Sequence, residues 1–515
     1  MSNEKEYIVV VNRGVDLTDF DQEMSSEYGD SSAIPSRAIE VANARPGSKR
    51  MTHWMLSDDE AEQLLNDERV LSVEIPPDQR NDIQIGIKAT QTSDFTKPSA
   101  LEADKVNWGL RRCIEATNIY SDGTTASNEY PYALDGTGVD VVIQDSGLQV
   151  DHPEFVGRVQ QIDWYTESGL SGSQNVNHYR DFDGHGTHCA GIAAGKTYGW
   201  AKNANVYSQK LAGLEAPSDP NSGIPISDAF DAIRLWHAAK TNGRPTIVNM
   251  SWGYSASVGG SPTGGNYRGT GWTWGVDYTA NLALWQATGI VIPISGASRI
   301  IPVRVPSVDA EIEDMIDAGI HVVIAAGNDY YKGDVIGGVD YDNTIVYGGS
   351  TYYYHRGSSP HSDEAIIVGN SDSVAEQSGA NFLDKTSNSS SRGPRLTCYA
   401  PGTNIISTCS TTSIYATGDY TPDTNYKIAL INGTSMAAPQ VAGVIAQYLT
   451  VQPTLSPKNV KDKILNESKP TLFSTGSDSD YSEFGTSLLG APNKFLYSKY
   501  GRQPYYISGG VTITK

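Results

Sequence analysis

The sequence predicts an α/β protein, a parallel sheet covered on both faces by helices, with a small α+β unit ahead of it. Three observations carry that expectation. From residue 139 onward, apolar runs of strand length alternate with amphipathic runs of helix length, as a doubly covered parallel sheet requires. Before residue 76, two apolar strand-like runs flank a helix signal. Between the two regions lies polar sequence without periodicity, the mark of a linker.

The first strand is Tyr7 to Val11. Ser57 and Glu60 have the spacing of a capping box, and Ala61, Leu64 and Leu65 give the helix that follows an apolar face. A strand from Val70 to Ile75 ends at Pro76-Pro77, and the unpatterned stretch Asp78 to Lys105 reads as linker. Candidate strands beyond it are Val139 to Gln144, Val206 to Lys210, Thr246 to Met250, His321 to Ala325 and Ala365 to Val368. Candidate helices are Ser227 to Lys240, Val308 to Ala318, Ser435 to Thr450 and Ser456 to Glu467. Segments 254–304, rich in Gly, Trp and Ser, and 329–361, rich in Tyr, read as insertions. The expected layout is a domain at 1–85, a linker at 86–105, a main domain at 106–498 and a tail at 499–515. Alternation from Tyr505 to Thr514 suggests a strand, either closing its own domain or docking a partner.

A chain of 515 residues exceeds what one core usually organises. Its net charge of -21 disfavours nucleic acid and anionic membrane as partners, since both are bound largely through Lys and Arg. The polar start, Met1 to Glu6, has no apolar export segment, and no apolar run is long enough to span a bilayer. The expected location is therefore cytoplasmic, or within a virion or other large assembly. Cys113, Cys189, Cys398 and Cys409 are too few for a disulfide framework and are expected to be reduced thiols.

Four short segments could carry chemistry. Asp145 follows an apolar strand, where sites of open α/β sheets gather, although Asp-Ser-Gly is also an ordinary turn. His185 sits in Asp183-Gly184-His185-Gly186-Thr187-His188-Cys189, a setting for a general base, a structural histidine or a metal ligand. His188 lies one helical turn on, but no acidic or cysteine cluster completes a metal site with it. Ser435, in Gly433-Thr434-Ser435-Met436, opens an apolar helix and suits either a nucleophile beside free N–H groups or a plain N-cap. Asn328 ends a buried strand as an oxyanion donor or a turn residue.

Together, in the order Asp, His, Asn, Ser, these segments resemble the subtilisin-like family, and more closely its proteinase K branch. Asp145-Ser146-Gly147-Leu148, Gly184 to Gly191 and Asn432 to Pro439 carry that resemblance. So do Val248-Asn249-Met250-Ser251-Trp252-Gly253 and Ser389 to Pro394, and the likeness spans about Asn107 to Ser498, the two insertions excluded. It implies a subtilisin-like sheet and a serine endopeptidase with Asp145, His185 and Ser435 as triad and Asn328 in the oxyanion hole. It also implies that Ser251, Trp252, Gly253, Ser222, Gly223, Ala325, Ala326 and Gly327 contact a peptide or protein substrate. Residues 1–85 resemble, more weakly, the family's inhibitory propeptide, which implies an intramolecular inhibitor released by processing between Gly86 and Ala100. No cofactor is implied. The path from Gly191 to Lys202 is too short for subtilisin's calcium loop, so no metal ligand is assigned, while oxygen-rich segments such as 334–343 leave a structural Ca²⁺ open. The alternative is a structural or virion assembly component that keeps the protease fold with its N-terminal domain uncleaved, a reading the missing export signal motivates.

Overall fold

The computed structural model describes residues 4–26, 34, 37–43, 48, 50–75, 89–120, 128–215, 217–258, 261–279, 281–290, 299–378, 381–474 and 487–501. The chain forms two compact units, Met1–Gly86 with Val451–Ser456, and Ile87–Thr450 with Pro457–Lys515.

In the first unit, β1 (Lys5–Val11), α1 (Leu17–Met24), β2 (Val41–Asn43), β3 (Met51–Leu56), α2 (Asp58–Leu64) and β4 (Val70–Glu74) follow in order. The strands make an antiparallel sheet in the order β2-β3-β1-β4. Ser57 and Glu60 close the capping box of α2 reciprocally. Val9, Val11, Phe20, Met24, Trp54, Leu56 and Leu64 form the core.

The second unit opens with β5 (Ala89–Thr92), paired antiparallel to β6 (Glu129–Tyr132). A strand stands here in place of the linker expected to run to Lys105. Its partner lies about forty residues away, and Gln91 is held by the Thr197 carbonyl at 3.0 Å and by Lys202 Nζ at 2.9 Å. None of these contacts leaves a local pattern in the sequence.

The centre is a seven-stranded sheet of β7 (Asp140–Asp145), β8 (Val159–Gln160), β9 (Asn205–Lys210), β10 (Thr246–Met250), β11 (His321–Ala325), β12 (Ile366–Ser371) and β13 (Cys398–Pro401). Its order is β13-β12-β11-β10-β7-β9-β8 and every pairing is parallel. Helices α3 (His185–Ala194), α4 (Ile226–Ala239), α5 (Pro306–Asp317), α6 (Thr434–Val451) and α7 (Pro457–Glu467) accompany it. β7, the first strand of this sheet, lies between β9 and β10, so the order reverses beside it. In an open α/β sheet, the carboxyl ends at such a reversal form a crevice.

The two insertions do not fold as separate loops. Strand Gly264–Tyr267 of the first pairs with Thr344–Tyr347 of the second, within a four-stranded antiparallel sheet. Val258, Trp272, Leu284, Ile301, Tyr331 and Ile345 share one core. All four cysteines are free and buried. Among the described residues, no helix is long and apolar enough to cross a membrane. The alternating tail, Tyr505 to Thr514, lies outside the described residues.

Candidate active site

Asp145 is the last residue of β7 and is 1% exposed. Its Oδ1 accepts from the Ser146 N–H at 2.7 Å and from His185 Nδ1 at 2.8 Å, while Oδ2 is buried without a hydrogen bond. His185 opens α3, whose N-cap Gly184 has φ +97°, a left-handed turn that favours glycine. A Cβ at Gly184 would also stand 2.4 Å from Ser413 Oγ. The turn is built by Asp181, a buried carboxylate that accepts from Ser146 Oγ, Gly184 N and the N–H and hydroxyl of Thr187 at 2.6–2.9 Å. Burial is the largest single influence on His185 and disfavours its imidazolium, but the Asp145 carboxylate, aided by the Cys189 sulfur, more than offsets it, and the His185 pKa is raised well above its ordinary value.

Ser435 lies in the first turn of α6, where backbone N–H groups and the positive end of the dipole are free to face an anion. It is 8% exposed. Its Oγ donates to the Ser251 carbonyl at 3.1 Å, and no hydrogen bond joins it to His185. A catalytic bond of this kind often tightens only once substrate is present. The Ser435 carbonyl has lost its helical donor, because the residue four further on is Pro439, which has no N–H. Ser251 Oγ at 3.0 Å and the Cys189 thiol at 3.3 Å donate to that carbonyl instead.

Asn328 is exposed at the mouth of the cleft. Its Oδ1 accepts from the N–H and hydroxyl of Thr434 at 2.9 and 3.0 Å. That contact orients the amide so that Nδ2, the donor, is directed away from Thr434. Asn328 is therefore held beside the residue that precedes Ser435.

Sequence reasoning missed four contributors: Asp181, Thr434, Pro439 and Tyr415. The Asp-Phe-Asp-Gly turn and the Ser-to-Pro spacing of four were legible signals for Asp181 and Pro439. Tyr415 left none. Its ring centroid lies 6.4 Å from that of His185, on a segment pinned to the histidine loop by Ile414 N to Asp183 O at 2.9 Å and Thr412 Oγ1 to Asp181 O at 3.0 Å.

Of the residues expected to meet substrate, Ala325 pairs with Val368 within the sheet. Ala326 N–H donates to the Val368 carbonyl at 3.0 Å, and Gly327 N–H donates to Thr434 Oγ1 at 3.2 Å. Ser251 supports Ser435 as described. Trp252 turns its indole N–H to Gln144 Oε1 at 3.2 Å and packs against Phe230 and Tyr254. Gly253 has no backbone partner among the described residues, so one edge of the cleft is open. The facing edge differs from expectation. Ser222 is buried with its hydroxyl on the Asp219 carbonyl at 3.1 Å, and the Glu215 carboxylate accepts from the Gly223 N–H and, at 2.8 Å, from the Asn221 N–H. Those donors are already satisfied.

Asp145, His185 Nδ1 and Cys189 Sγ lie within 4.8 Å of one another and so could hold a metal ion. The 2.8 Å hydrogen bond already commits Nδ1 to the carboxylate, and burial raises the Cys189 pKa, keeping a protonated thiol. In segment 334–343, Asp340 is bound by Lys332 Nζ at 2.7 Å and Arg268 Nε at 2.7 Å, and Asp334 accepts from the Asp340 N–H at 2.9 Å. Lys332 and Arg268 thus pair with the carboxylates of this segment.

The model of the subtilase family, Peptidase_S8, matches residues 136–486. A subtilisin-like serine protease of Penicillium citrinum, Pen c 2, is 28% identical over 407 residues, covering 78% of this chain and 68% of its own. One of Cochliobolus lunatus, Cur l 4.0101, is 29% identical over 70% of this chain and 54% of its own. Alkaline protease 2 of Aspergillus fumigatus is 26% identical over 70% of this chain and 55% of its own. The chain thus spans little more than half the length of the last two relatives. Among solved structures, a cold adapted subtilisin-like serine proteinase is similar over 76% of this chain and 98% of its own, at 21% identity and a TM-score of 0.48, a likeness too slight to carry weight.

Proposed function

Because this chain belongs to the subtilase family, we propose that it is a serine endopeptidase whose triad is Asp145, His185 and Ser435. The observation that carries the reading is the 2.8 Å bond from His185 Nδ1 to Asp145, which leaves Nε2 as the proton acceptor. In this mechanism Nε2 takes the hydroxyl proton as Ser435 Oγ turns from the Ser251 carbonyl and attacks the scissile carbonyl. Asp145 holds the ring in that tautomer and stabilises the imidazolium. The Ser435 N–H and Asn328 Nδ2 receive the oxyanion, and the imidazolium returns its proton to the leaving amine.

An extended peptide would add as a strand against Gly253. Pairing on the opposite side requires it to displace the Glu215 carboxylate from the Gly223 N–H. Residues 1–85 act, in this reading, as an intramolecular inhibitor, and the chain processes itself between Gly86 and Ala100. The resemblance of that unit to the family's propeptides supports this. Residues 86–88 lie outside the described residues, while Ala89–Thr92 is strand β5.

A fluorophosphonate probe tests the mechanism directly. The folded protein is expected to be labelled at Ser435, and Ser435→Ala is expected to lose labelling and peptide hydrolysis together. Folded protein, freed of residues 1–88, that takes no label at Ser435 would refute the reading.

A further inference from the structure

A side chain of the protein itself already fills one edge of the cleft. Leu211 directly follows β9, and its N–H donates to the carbonyl of Asp145 at 3.0 Å. Ile224 lies alongside it as a parallel bridge, giving its N–H to the Lys210 carbonyl at 2.8 Å and accepting from the Ala212 N–H at 2.9 Å. Successive residues of an extended strand turn their backbone groups to opposite edges, so the Gly223 N–H points away from β9. That is the edge on which the peptidase reading above pairs an extended substrate. Glu215 holds it: one carboxylate oxygen accepts from the Gly223 N–H and the other from the Asn221 N–H at 2.8 Å.

The loop is built to keep the carboxylate there. Asn221 is in the left-handed region at φ +65°, a turn that aims the N–H groups of Asn221 and Gly223 at one anion. Pro217 and Pro220 fix two of the backbone angles between Glu215 and Gly223, and the Ser222 hydroxyl ties the loop to the Asp219 carbonyl at 3.1 Å. Gly223 lies against the backbone of Leu211, where a Cβ would stand 2.4 Å from the carbonyl carbon. A peptide carbonyl competing for Gly223 is neutral and takes up one N–H. The carboxylate is charged, takes both, and is tethered eight residues away.

We propose that Glu215 stands in for substrate at Gly223, so that this cleft reads the acyl-side peptide backbone along its Gly253 edge alone. The proposal rests on the peptidase reading and adds to it the residue that sets how much the enzyme gains from a longer acyl side. A side chain that only shaped the loop would support substrate binding, whereas a substrate mimic opposes it. Removing Glu215 therefore has opposite signs in the two cases.

The test is a series of fluorogenic peptides that share one scissile bond and carry two to five residues on its acyl side, with kcat/KM measured on the protein as expressed. The ratio of the longest peptide to the shortest cancels any general change in activity. In Glu215→Ala that ratio is expected to exceed the unsubstituted protein's by about fivefold, the scale of one backbone hydrogen bond, carried by a lower KM for the longer peptides. Glu215→Gln, whose amide offers one acceptor oxygen to two donors, falls between. An equal or smaller ratio in Glu215→Ala would overturn this proposal and leave the peptidase reading standing. A second readout uses the unsubstituted protein and so holds even if Glu215→Ala does not fold: a crystal structure with a five-residue peptide phosphonate bound to Ser435. Glu215 is expected to remain on the N–H groups of Asn221 and Gly223, and a peptide carbonyl on the Gly223 N–H in its place would overturn the proposal. No turnover of any peptide, with Ser435 unlabelled by fluorophosphonate, overturns both readings.

Discussion

The hydrogen bond from His185 to Asp145 fixes the pH at which the base is free. Its pKa is raised, so the imidazole is still protonated where an ordinary histidine is half neutral, at about pH 6.5. The acid limb of kcat/KM is therefore expected to have its midpoint above that value. In Asp145→Asn the main influence opposing burial is gone, so the midpoint falls, while kcat drops about 10⁴-fold because the tautomer is no longer held. The same raised pKa stabilises the fold below about pH 6.5, a contribution lost as pH rises through it, so activity and this part of stability run in opposite directions. Asn328→Ala is expected to lower kcat about 10²–10³-fold with KM little changed, the range a single oxyanion donor is worth in subtilisin itself. Steady-state kinetics on a neutral peptide checks both variants. At this scale the motifs made Asp145, His185, Asn328 and Ser435 legible, because each is a run of residue types with a defined chemical task. The two donors that replace the helical bond missing at Pro439 were not legible as such. Ser251 and Cys189 are 184 and 246 positions from Ser435, and only the folded backbone brings them together.

Among elements, helix α3 depends on how closely it approaches the hairpin of Ile405–Cys409 and Lys427–Ile431. A Cβ at Gly191 would stand 2.2 Å from both Ser407 Oγ and Thr408 Oγ1. Neither hydroxyl is free to withdraw, since they donate to the carbonyls of His188 at 3.0 Å and Thr187 at 2.8 Å. Gly191→Ala is therefore expected to cost about 1–3 kcal/mol by overpacking, seen as a lower thermal midpoint, and to reduce kcat because α3 carries His185. An unchanged midpoint would mean that the helix and hairpin are not packed this tightly. Five of the seven strands of the central sheet were readable, with boundaries good to within three residues, while Val159–Gln160 and Cys398–Pro401 were not read. Buried parallel strands are continuous apolar runs, as in Thr246–Met250 and His321–Ala325. β5 was not readable, because Ala-Thr-Gln-Thr gains its order from β6, Thr197 and Lys202 rather than from any pattern of its own.

For the molecule as a whole, the two insertions join because pairing between Gly264–Asn266 and Thr344–Val346 spans nearly eighty residues, a register no window of sequence reveals. The same lobe bears on whether segment 334–343 takes up Ca²⁺. Asp340 is wholly buried, and its charge is met by Lys332 from its own insertion and by Arg268 from the other, with Asn343 Nδ2 adding a bond at 3.0 Å. Asp334 is buried beside it, 3.6 Å from Lys332 Nζ. Removing one partner from a buried pair costs more than the pair contributes, because the remaining charge stays dehydrated. Lys332→Met is therefore expected to destabilise the lobe by about 3–5 kcal/mol, read as early loss of structure in thermal or denaturant unfolding. Lys332→Met combined with Asp340→Asn should recover part of that loss, since the double variant leaves no bare carboxylate behind. Added Ca²⁺ should leave the midpoint of the unsubstituted lobe unchanged, because Lys332 and Arg268 already neutralise Asp340. If Ca²⁺ instead raised that midpoint, and Lys332→Met strengthened the effect, the two cations would be stand-ins and 334–343 a metal loop after all.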